Sequence, residues 1–212
     1  IRSLIFMKQF ELMMFASVMG AMVLDEDTSE INPDNFDYFE HNNPDILDIN
    51  VSSLDKRVLE KYPNIKKIII EKFYQFNEQL LKKCGDFDIS TSWITKLKKG
   101  TRTVVHDHRN CYYSGLLYFG DYTDESSTLS LRNPLSQLEK FYIENQEDTP
   151  INFQEWAIQP QKNLLIFFPS YIMHKPNENT TDNIRYSLAF NLVPTGLYGG
   201  GDSSNNTSWY NK

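Results

Sequence analysis

The stretch "VVHDHRNCYYSGLLYF" (Val104–Phe119) places two histidines one residue apart, with an aspartate between them, ahead of an apolar run. In an extended segment His106 and His108 project to one face and Asp107 to the other, because side chains alternate along a strand. A metal ion is bound by lone pairs that converge on it, so two imidazoles on one face of a strand can both act as its ligands. This pair alone leaves two interpretations open, a metal site and two histidines without a metal.

A third histidine favours the metal site. His174 follows the apolar segment NLLIFFPSYIM, which contains a proline turn, so we expect it at or near a strand end. A third imidazole from a distant strand would complete a three-ligand site. Such a site leaves other coordination positions open, which separates catalytic metals from structural ones.

A candidate carboxylate receptor lies eleven residues beyond His174, in the sequence RYS. Arg185 and Ser187 share one strand face, and Tyr186 faces the other way. A guanidinium and a hydroxyl that point together can bind a carboxylate through charge-assisted hydrogen bonds. The alternative is an arginine at the rim of the fold, paired with an acidic side chain.

The chain after Gly85 is a series of short strand-like segments separated by turn residues. In order they are ISTSWITKL, TRTVVH, YYSGLLYF, STLSLRNP, FQEWAIQP, LLIFFPS and IRYSLAFNLV. Before them, residues 53–83 have apolar positions at helical spacing, and Pro63 divides this part into a short and a longer helix that Gly85 ends. We therefore expect a mainly β fold with flanking α structure, a closed or sandwiched β domain with the N-terminal helices on one side.

We expect a single domain over residues 1–212. Residues 1–85 form an N-terminal loop and helical support region, 86–194 the β core, and 195–212 a flexible Gly- and Asn-rich tail. Within the first region, the acidic residues 25–55 are interpreted as a loop-rich connection. The apolar stripe of the longer helix is expected to consist of Ile65, Ile69, Phe73, Phe76 and Leu80.

Composition and charge exclude several classes of protein. The chain is 40% hydrophobic and 14% aromatic, which argues against disorder, and its net charge of -7 argues against a nucleic-acid partner. The apolar run Leu12–Leu24 is too short to span a bilayer, so we expect no membrane association and favour a buried strand or helix over a targeting segment. A cytoplasmic location follows, with secretion left open. Cys84 and Cys111 are interpreted as reduced core thiols.

The order W…G…HDH…YYSGLLYF…LRNP…LLIFFPSYIMH…IRYSLAFN, over roughly Ser92 to Asn191, resembles the iron(II)- and 2-oxoglutarate-dependent oxygenases. In particular, it is similar to a branch common in phages and marine bacteria. The resemblance implies a double-stranded β-helix, or jelly-roll, core with flanking N-terminal helices. It also implies metal ligands at His106 and His174, and a site for the C5 carboxylate of 2-oxoglutarate at Arg185, assisted by Ser187. Tyr112, Tyr118 and Asn191 are candidates for the pocket lining, with core packing as the favoured role of at least two of the tyrosines Tyr112, Tyr113 and Tyr118. Trp93 is expected in the core.

The same resemblance implies a reaction. Fe(II) would be the metal, and 2-oxoglutarate and O2 would be consumed as an unidentified prime substrate is hydroxylated, with release of succinate and CO2. The substrate would be a peptidyl residue such as proline, or a small metabolite. Ascorbate dependence is a further expectation.

The chain departs from the superfamily at one position, because most members have an Asp or Glu where His108 stands. Asp107 has the wrong strand parity, so three histidine ligands are favoured over a backbone irregularity that turns Asp107 inward. A degenerate, inactive site is a third alternative. A neutral imidazole in place of a carboxylate makes the site one charge more positive, which should weaken metal retention and strengthen attraction to an anionic co-substrate.

Two other functions compete with the oxygenase. One is a cupin-like enzyme that holds a metal by three histidines without 2-oxoglutarate, and the other is a non-catalytic jelly-roll module for binding or structure. A basic cluster before the histidines also has two interpretations, a solvated hairpin and a surface for an acidic substrate. It comprises Lys96, Lys98, Lys99, Arg102 and Arg109.

Overall fold

The computed structural model of the chain describes residues 16–43, 48–138, 141, 143–149 and 152–207. The first part of the apolar run, up to residue 15, therefore lies outside the described residues. The strands are β1 (Gly20–Val23), β2 (Tyr38–Asn43), β3 (Asp48–Ser53), β4 (Asp86–Leu97), β5 (Tyr113–Leu117), β6 (Leu129–Arg132), β7 (Glu155–Ile158), β8 (Leu164–Pro169), β9 (His174–Pro176), β10 (Arg185–Thr195), β11 (Leu197–Tyr198) and β12 (Asn205–Asn206). The α-helix α1 spans Pro63–Phe76.

Two antiparallel sheets form the core of the fold. The larger has the strand order β1-β8-β5-β10-β4-β3-β2, and the smaller has the order β7-β6-β9. β11 and β12 pair separately as a short ribbon. The fold is mainly β, with a jelly-roll core and α1 packed on one side of it, as the sequence predicts.

Helix α1 covers the outer face of the larger sheet. Pro63 stands at its start, where the missing N–H costs nothing, and the predicted stripe from Ile65 to Phe76 is buried. The ring centre of Phe73 lies 5.3 Å from that of Phe87 in β4 and 5.4 Å from that of Phe167 in β8. These contacts hold the helix against the sheet that carries the candidate site.

The helical region differs from the prediction in three details. The first segment, Val58–Lys61, is a 3-10 helix, and α1 continues into a π-helical turn, Asn77–Leu81, closed by Lys82 with φ of 53°. The helix thus ends before Gly85. Because a π turn has more residues than an α turn, Leu80 rotates off the stripe and is 59% exposed.

Four further sequence interpretations need correction. Residues 25–55 contain β2 and β3 at the edge of the larger sheet, where a strand needs no continuous apolar face. The expected flexible tail contains the β11–β12 ribbon. The segment TRTVVH is no regular strand, because only an isolated bridge joins His106 to His174. Cys84 is free but exposed rather than in the core.

Strand β10 organises the inside of the fold because it pairs with β4 on one side and with β5 on the other. Its residues at positions 185, 187, 189 and 191 share one face, by strand alternation. The space on this face is closed by an apolar cluster between the two sheets, made of Leu116, Tyr118, Leu129, Leu131, Ile158, Leu164, Ile166, Phe168, Ile172 and Ala189. Among the described residues, the structure has no helix with the length and apolar character needed to cross a membrane.

Gly115 in β5 allows the Phe190 ring to lie directly against the main chain, where any other residue type would place a Cβ atom. It pairs with Phe190 of β10 and with Phe167 of β8. A Cβ atom at this position would overlap the Phe190 ring and lie 2.5 Å from the main-chain oxygen of Ile166. The centre of the larger sheet therefore depends on the missing side chain.

We expect Gly115→Ala to lower the free energy of unfolding by about 1–3 kcal/mol, because the added methyl group overpacks the sheet. Gly200→Ala is the matched control, since Gly200 has extended backbone and no atom within 4 Å of its Cβ position. The control should change stability by less than about 0.5 kcal/mol. Urea denaturation followed by circular dichroism measures both values, and equal effects would contradict the argument.

Candidate active site

Three histidines from distant parts of the sequence converge between the two sheets. His106 and His108 lie in the extended connection from β4 to β5, and His174 begins β9. The main chains of His106 and His174 hydrogen-bond each other in both directions, with N···O distances of 3.0 and 2.9 Å, and His108 N–H donates to the Ser170 carbonyl at 3.0 Å. Their ring nitrogens lie within 4.8 Å of one another. The alternation expected of a strand therefore holds in a segment that forms isolated bridges and no regular strand.

Main-chain carbonyls fix the orientation of two of these imidazoles. Nδ1 of His106 lies 2.9 Å from the carbonyl oxygen of Val104, and Nδ1 of His174 lies 2.9 Å from that of Ile172. A carbonyl oxygen only accepts, so in both rings Nδ1 carries the proton and Nε2 keeps its lone pair. This is the tautomer that a metal ligand needs.

His108 obtains the same orientation from side chains. Its Nδ1 lies 2.7 Å from Oδ1 of Asn191 and 2.9 Å from Oγ of Ser114. Ser114 is buried and also contacts the hydroxyl of Ser170 at 2.9 Å. Asn191 thus lies behind His108, where it contacts the ring instead of lining the open space.

The buried imidazoles are neutral at neutral pH. Burial lowers the pKa of His174 to about 3, with a smaller contribution from the charge of His106. Burial also lowers the pKa of His108, against the opposing hydrogen bond from Asn191. Neutral imidazole is the form that binds metals.

Asp107 stands apart from this group. Its carboxylate lies 3.4 Å from Nε of Arg109 on the outer side of the segment. Within the described ranges, the converging metal-ligand side chains are His106, His108 and His174, and Asp107 is not one of them. The structure therefore places Asp107 as strand parity predicts.

Arg185 is buried without an acidic partner. It is 3% exposed, its Nη2 donates to Tyr118 Oη at 2.7 Å, and its Nε has no hydrogen-bond partner. Burial raises the pKa of the Tyr118 hydroxyl, which therefore stays neutral. No described carboxylate forms an ion pair with this guanidinium. Its positive charge is left uncompensated, an arrangement that costs free energy unless a ligand supplies the anion.

One cleft connects this arginine to the three histidines. It has about 500 Å³ of empty space, open solvent included. Its lining comprises Trp93, Thr95, Thr103, His106, His108, Gly115, Leu116, Leu129, Phe168, His174, Pro176, Arg185, Ser187 and Ala189. Thr103 contributes a second buried polar atom without a partner, its Oγ1.

The remaining predicted pocket residues have other positions. Tyr118 is fully buried behind Arg185, which lies with its guanidinium 4.9 Å from the Tyr118 ring centre. Tyr112 does not line the cleft, because its ring stacks on Phe87 in the core below α1, with centres 5.5 Å apart. Trp93, expected in the core, is half-buried and lines the cleft, with its ring centre 5.5 Å from that of His108.

Sequence reasoning missed Thr95, Thr103, Ser114 and Ser170. Only Thr95 carried a usable signal, because it shares strand parity with Trp93 and pairs with Ser187 of β10. The two serines become recognisable only once β5 and the turn after β8 are adjacent. Thr103 lies in a segment without regular structure, so parity gave no guide.

The basic cluster is largely paired with acidic side chains. Lys99 lies 3.0 Å from Asp182, and Arg102 lies 3.8 Å from Glu178. Lys96 packs over the rings of Tyr38 and Tyr186. These contacts favour a solvated, ion-paired surface over a binding site for an acidic substrate.

Comparison with known proteins agrees with this site. Residues 91–191 match a family model described as "Putative 2OG-Fe(II) oxygenase", and this span includes all three histidines, Arg185 and Ser187. A comparison with curated protein sequences gave no match.

Solved structures of non-haem 2-oxoglutarate-dependent enzymes share the fold. The carbocyclase SnoK from nogalamycin biosynthesis has a TM-score of 0.59 and 13% identity, over 88% of this chain and 84% of its own. HygX from Streptomyces hygroscopicus, solved with nickel and 2-oxoglutarate bound, has a TM-score of 0.56 and 12% identity, over 85% of this chain and 84% of its own. The epimerase SnoN, in complex with Fe3+, alpha ketoglutarate and nogalamycin RO, has a TM-score of 0.55 and 9% identity, over 77% of this chain and 71% of its own.

At these identities the solved structures establish the fold alone, and the family model adds the sequence pattern on which the site is built. The jelly-roll core, the matched segment and the placement of its histidines and arginine in one cleft agree with one another. Residues 91–191 therefore form a 2OG-Fe(II) oxygenase domain, in a chain with the fold of 2-oxoglutarate-dependent enzymes.

Proposed function

We propose that the chain hydroxylates its substrate with Fe(II) held by His106, His108 and His174 and with 2-oxoglutarate held by Arg185 and Ser187. The observation that carries the proposal is the buried guanidinium, without an ion-pair partner among the described residues, in the same cleft as three converging imidazoles. A carboxylate ligand would remove the cost of burying that charge.

The donor set suits iron. Imidazole nitrogen is a ligand that Fe(II) accepts, and three protein ligands leave coordination positions free for a co-substrate. Because Nδ1 of each ring is already in a hydrogen bond, Nε2 is the atom whose lone pair is available to coordinate the metal. The histidines therefore need no change of tautomer to bind the metal.

The other end of the cleft suits the C5 carboxylate of 2-oxoglutarate. The unpaired Nε of Arg185 lies in the planar guanidinium that can bind a carboxylate through two hydrogen bonds. Tyr118 holds the guanidinium from behind, through one hydrogen bond and a ring contact. Ser187, on the same strand face, would supply a hydroxyl donor beside it.

When bound, iron and 2-oxoglutarate supply the oxidising chemistry, in which one oxygen atom of O2 enters the substrate as a hydroxyl and the other enters succinate, with loss of CO2. The chain's own residues position these reactants and exclude water. Phe168 and Leu129 give the cleft apolar walls, and Trp93 presents an aromatic face beside His108. The prime substrate, a peptidyl residue such as proline or a small metabolite, would lie against this face.

We expect His108→Ala to weaken Fe(II) binding by about tenfold or more, because it removes a ligand where second-sphere changes alone cost roughly 10- to 100-fold. Asp107→Asn is the matched control, because it removes the neighbouring charge without touching the cluster. Anaerobic titration calorimetry measures both affinities. A larger loss in Asp107→Asn than in His108→Ala would mean that the carboxylate, and not the imidazole, binds the metal.

Anaerobic addition of Fe(II) and 2-oxoglutarate should give the weak visible charge-transfer band of their chelate. Arg185→Ala should raise the 2-oxoglutarate concentration at half-saturation by roughly 10- to 100-fold, since hydrogen bonds to charged groups contribute about 1.5–3 kcal/mol. Arg57→Ala, a change at an exposed arginine, is the control and should leave it unchanged.

Succinate release from the same proteins after O2 is admitted, followed with and without ascorbate, is the second readout. Absence of the band in the wild type, or a band unaffected by Arg185→Ala, would contradict the proposed co-substrate site. Either result would favour a three-histidine metal protein that does not bind 2-oxoglutarate there.

The metal-free protein should lose stability on mild acidification. His174 has a pKa of about 3 when folded and an ordinary value of 6.5, so between these values the unfolded chain binds more protons. The free energy of unfolding then falls as pH falls, by up to about 1.4 kcal/mol per pH unit for each such histidine. The contribution is complete above pH 6.5.

Denaturation at pH 7 and pH 5 should therefore show a larger loss of stability in the wild type than in His174→Gln. The range from pH 5 to pH 7 lies above the ordinary pKa of carboxylates, so histidines account for most of the pH dependence of the free energy of unfolding there. Equal losses in the two proteins would show that His174 is not held neutral by the fold.

A further inference from the structure

One of the three imidazoles is held differently from the others. Nδ1 of His106 and of His174 each contacts the main-chain carbonyl two residues earlier, a group that can only accept a hydrogen bond. Nδ1 of His108 contacts two side chains instead, Oδ1 of Asn191 at 2.7 Å and the Ser114 hydroxyl at 2.9 Å. The hydroxyl can donate or accept, whereas the amide has an acceptor on one end and a donor on the other, so the orientation of the Asn191 amide sets which nitrogen of His108 is protonated.

The two orientations of the amide have opposite chemical results. With Oδ1 facing His108, the ring proton lies on Nδ1 and the Nε2 lone pair is free. With Nδ2 facing His108, Nδ1 must accept, the proton moves to Nε2, and the ring cannot bind a metal through that atom. A ligand role for His108 therefore requires the first orientation.

The contacts around Asn191 are consistent with the first orientation. Its Nδ2 donates to Oγ1 of Thr91 at 3.0 Å, and its Oδ1 accepts from Oγ of Ser114 at 2.8 Å. Ser114 can in turn accept from the Ser170 hydroxyl, 2.9 Å away. In this arrangement His108, Asn191, Ser114 and Ser170 each donate one hydrogen bond within the network, as expected of buried polar groups.

A backbone irregularity lies directly beside Asn191. The pairing of β10 with β4 shifts register directly after Asn191, where Leu192 pairs with Ile89, so Ser90 is the extra residue of a bulge. The Ser90 hydroxyl donates to the carbonyl of Asn191 at 3.2 Å. The bulge lies in β4 opposite Asn191, and regular pairing resumes at Leu192; a bulge of this kind changes the local twist of the two strands.

We propose that Asn191 is a positioning residue that fixes His108 as the Nδ1–H tautomer and so allows a histidine to bind iron where related oxygenases have a carboxylate. The proposal rests on the proposed function, in which His108 is a ligand. Asn191 acts through the imidazole and touches neither metal nor substrate.

The test reads the tautomer directly in the metal-free protein. Long-range 1H–15N correlation spectra distinguish Nδ1–H from Nε2–H, and four histidines give a spectrum that single His variants assign. The compared proteins are the wild type, Asn191→Leu, Asn191→Asp and Ser170→Ala. Asn191→Asp keeps an acceptor oxygen and is the conservative rescue, and Ser170→Ala changes the network without removing a side-chain partner of His108.

We expect the Nδ1–H tautomer in the wild type, Asn191→Asp and Ser170→Ala, and a mixture or Nε2–H in Asn191→Leu. Fe(II) affinity, measured by anaerobic calorimetry, should fall roughly 10- to 100-fold in Asn191→Leu and stay within about threefold of the wild type in the other two. An Nε2–H tautomer in the wild type, or an unchanged tautomer and affinity in folded Asn191→Leu, would overturn the proposal.

Failure of the proposed function gives a different result. The wild type could bind no Fe(II) and still show the Nδ1–H tautomer, with that tautomer lost in Asn191→Leu. This result would contradict the proposed metal site and support the positioning of His108 by Asn191. If Asn191→Leu does not fold, the spectra of the wild type and of Asn191→Asp still test the proposal. An Nε2–H tautomer of His108 in either protein would contradict the role of the acceptor oxygen at position 191.

Discussion

The hydrogen-bonded pairing of β10 with β4 and β5 is the constraint on which the site depends. Because alternate residues of β10 face the inside, this one strand presents Arg185, Ser187 and Asn191 together. Its neighbours add Thr95 and Trp93 from β4 on one side and Leu116 from β5 on the other. The main-chain hydrogen bonds of β10 thus fix the separation between Arg185 at one end of the cleft and Asn191, which lies behind His108, at the other.

Sequence was a good guide wherever a simple periodicity acts. Strand parity was enough to predict that His106 and His108 face together and Asp107 faces away, and helical spacing predicted the buried side of α1 up to Phe76. The motif order was also enough to identify the superfamily. These features depend on local geometry, which the sequence carries directly.

The errors arose where tertiary contacts override local pattern. β2 and β3 were interpreted as loop because polar edge strands have no distinctive alternation. Leu80 left the apolar stripe because a π turn changed the period. The role of Ser114 depends on three segments meeting, β5, β10 and the connection containing His108, and no window of sequence contains all of them.

The paired main-chain hydrogen bonds between His106 and His174 have a mechanical consequence. His106 lies in the connection between two strands of the larger sheet, and His174 begins a strand of the smaller one, so this bridge joins the two layers at the candidate metal ligands. A cation bound by the three imidazole rings would link the same two layers a second time. Metal binding and the packing of the two sheets against each other would then be thermodynamically linked. A bound metal would therefore stabilise the folded protein in addition to its role in the reaction.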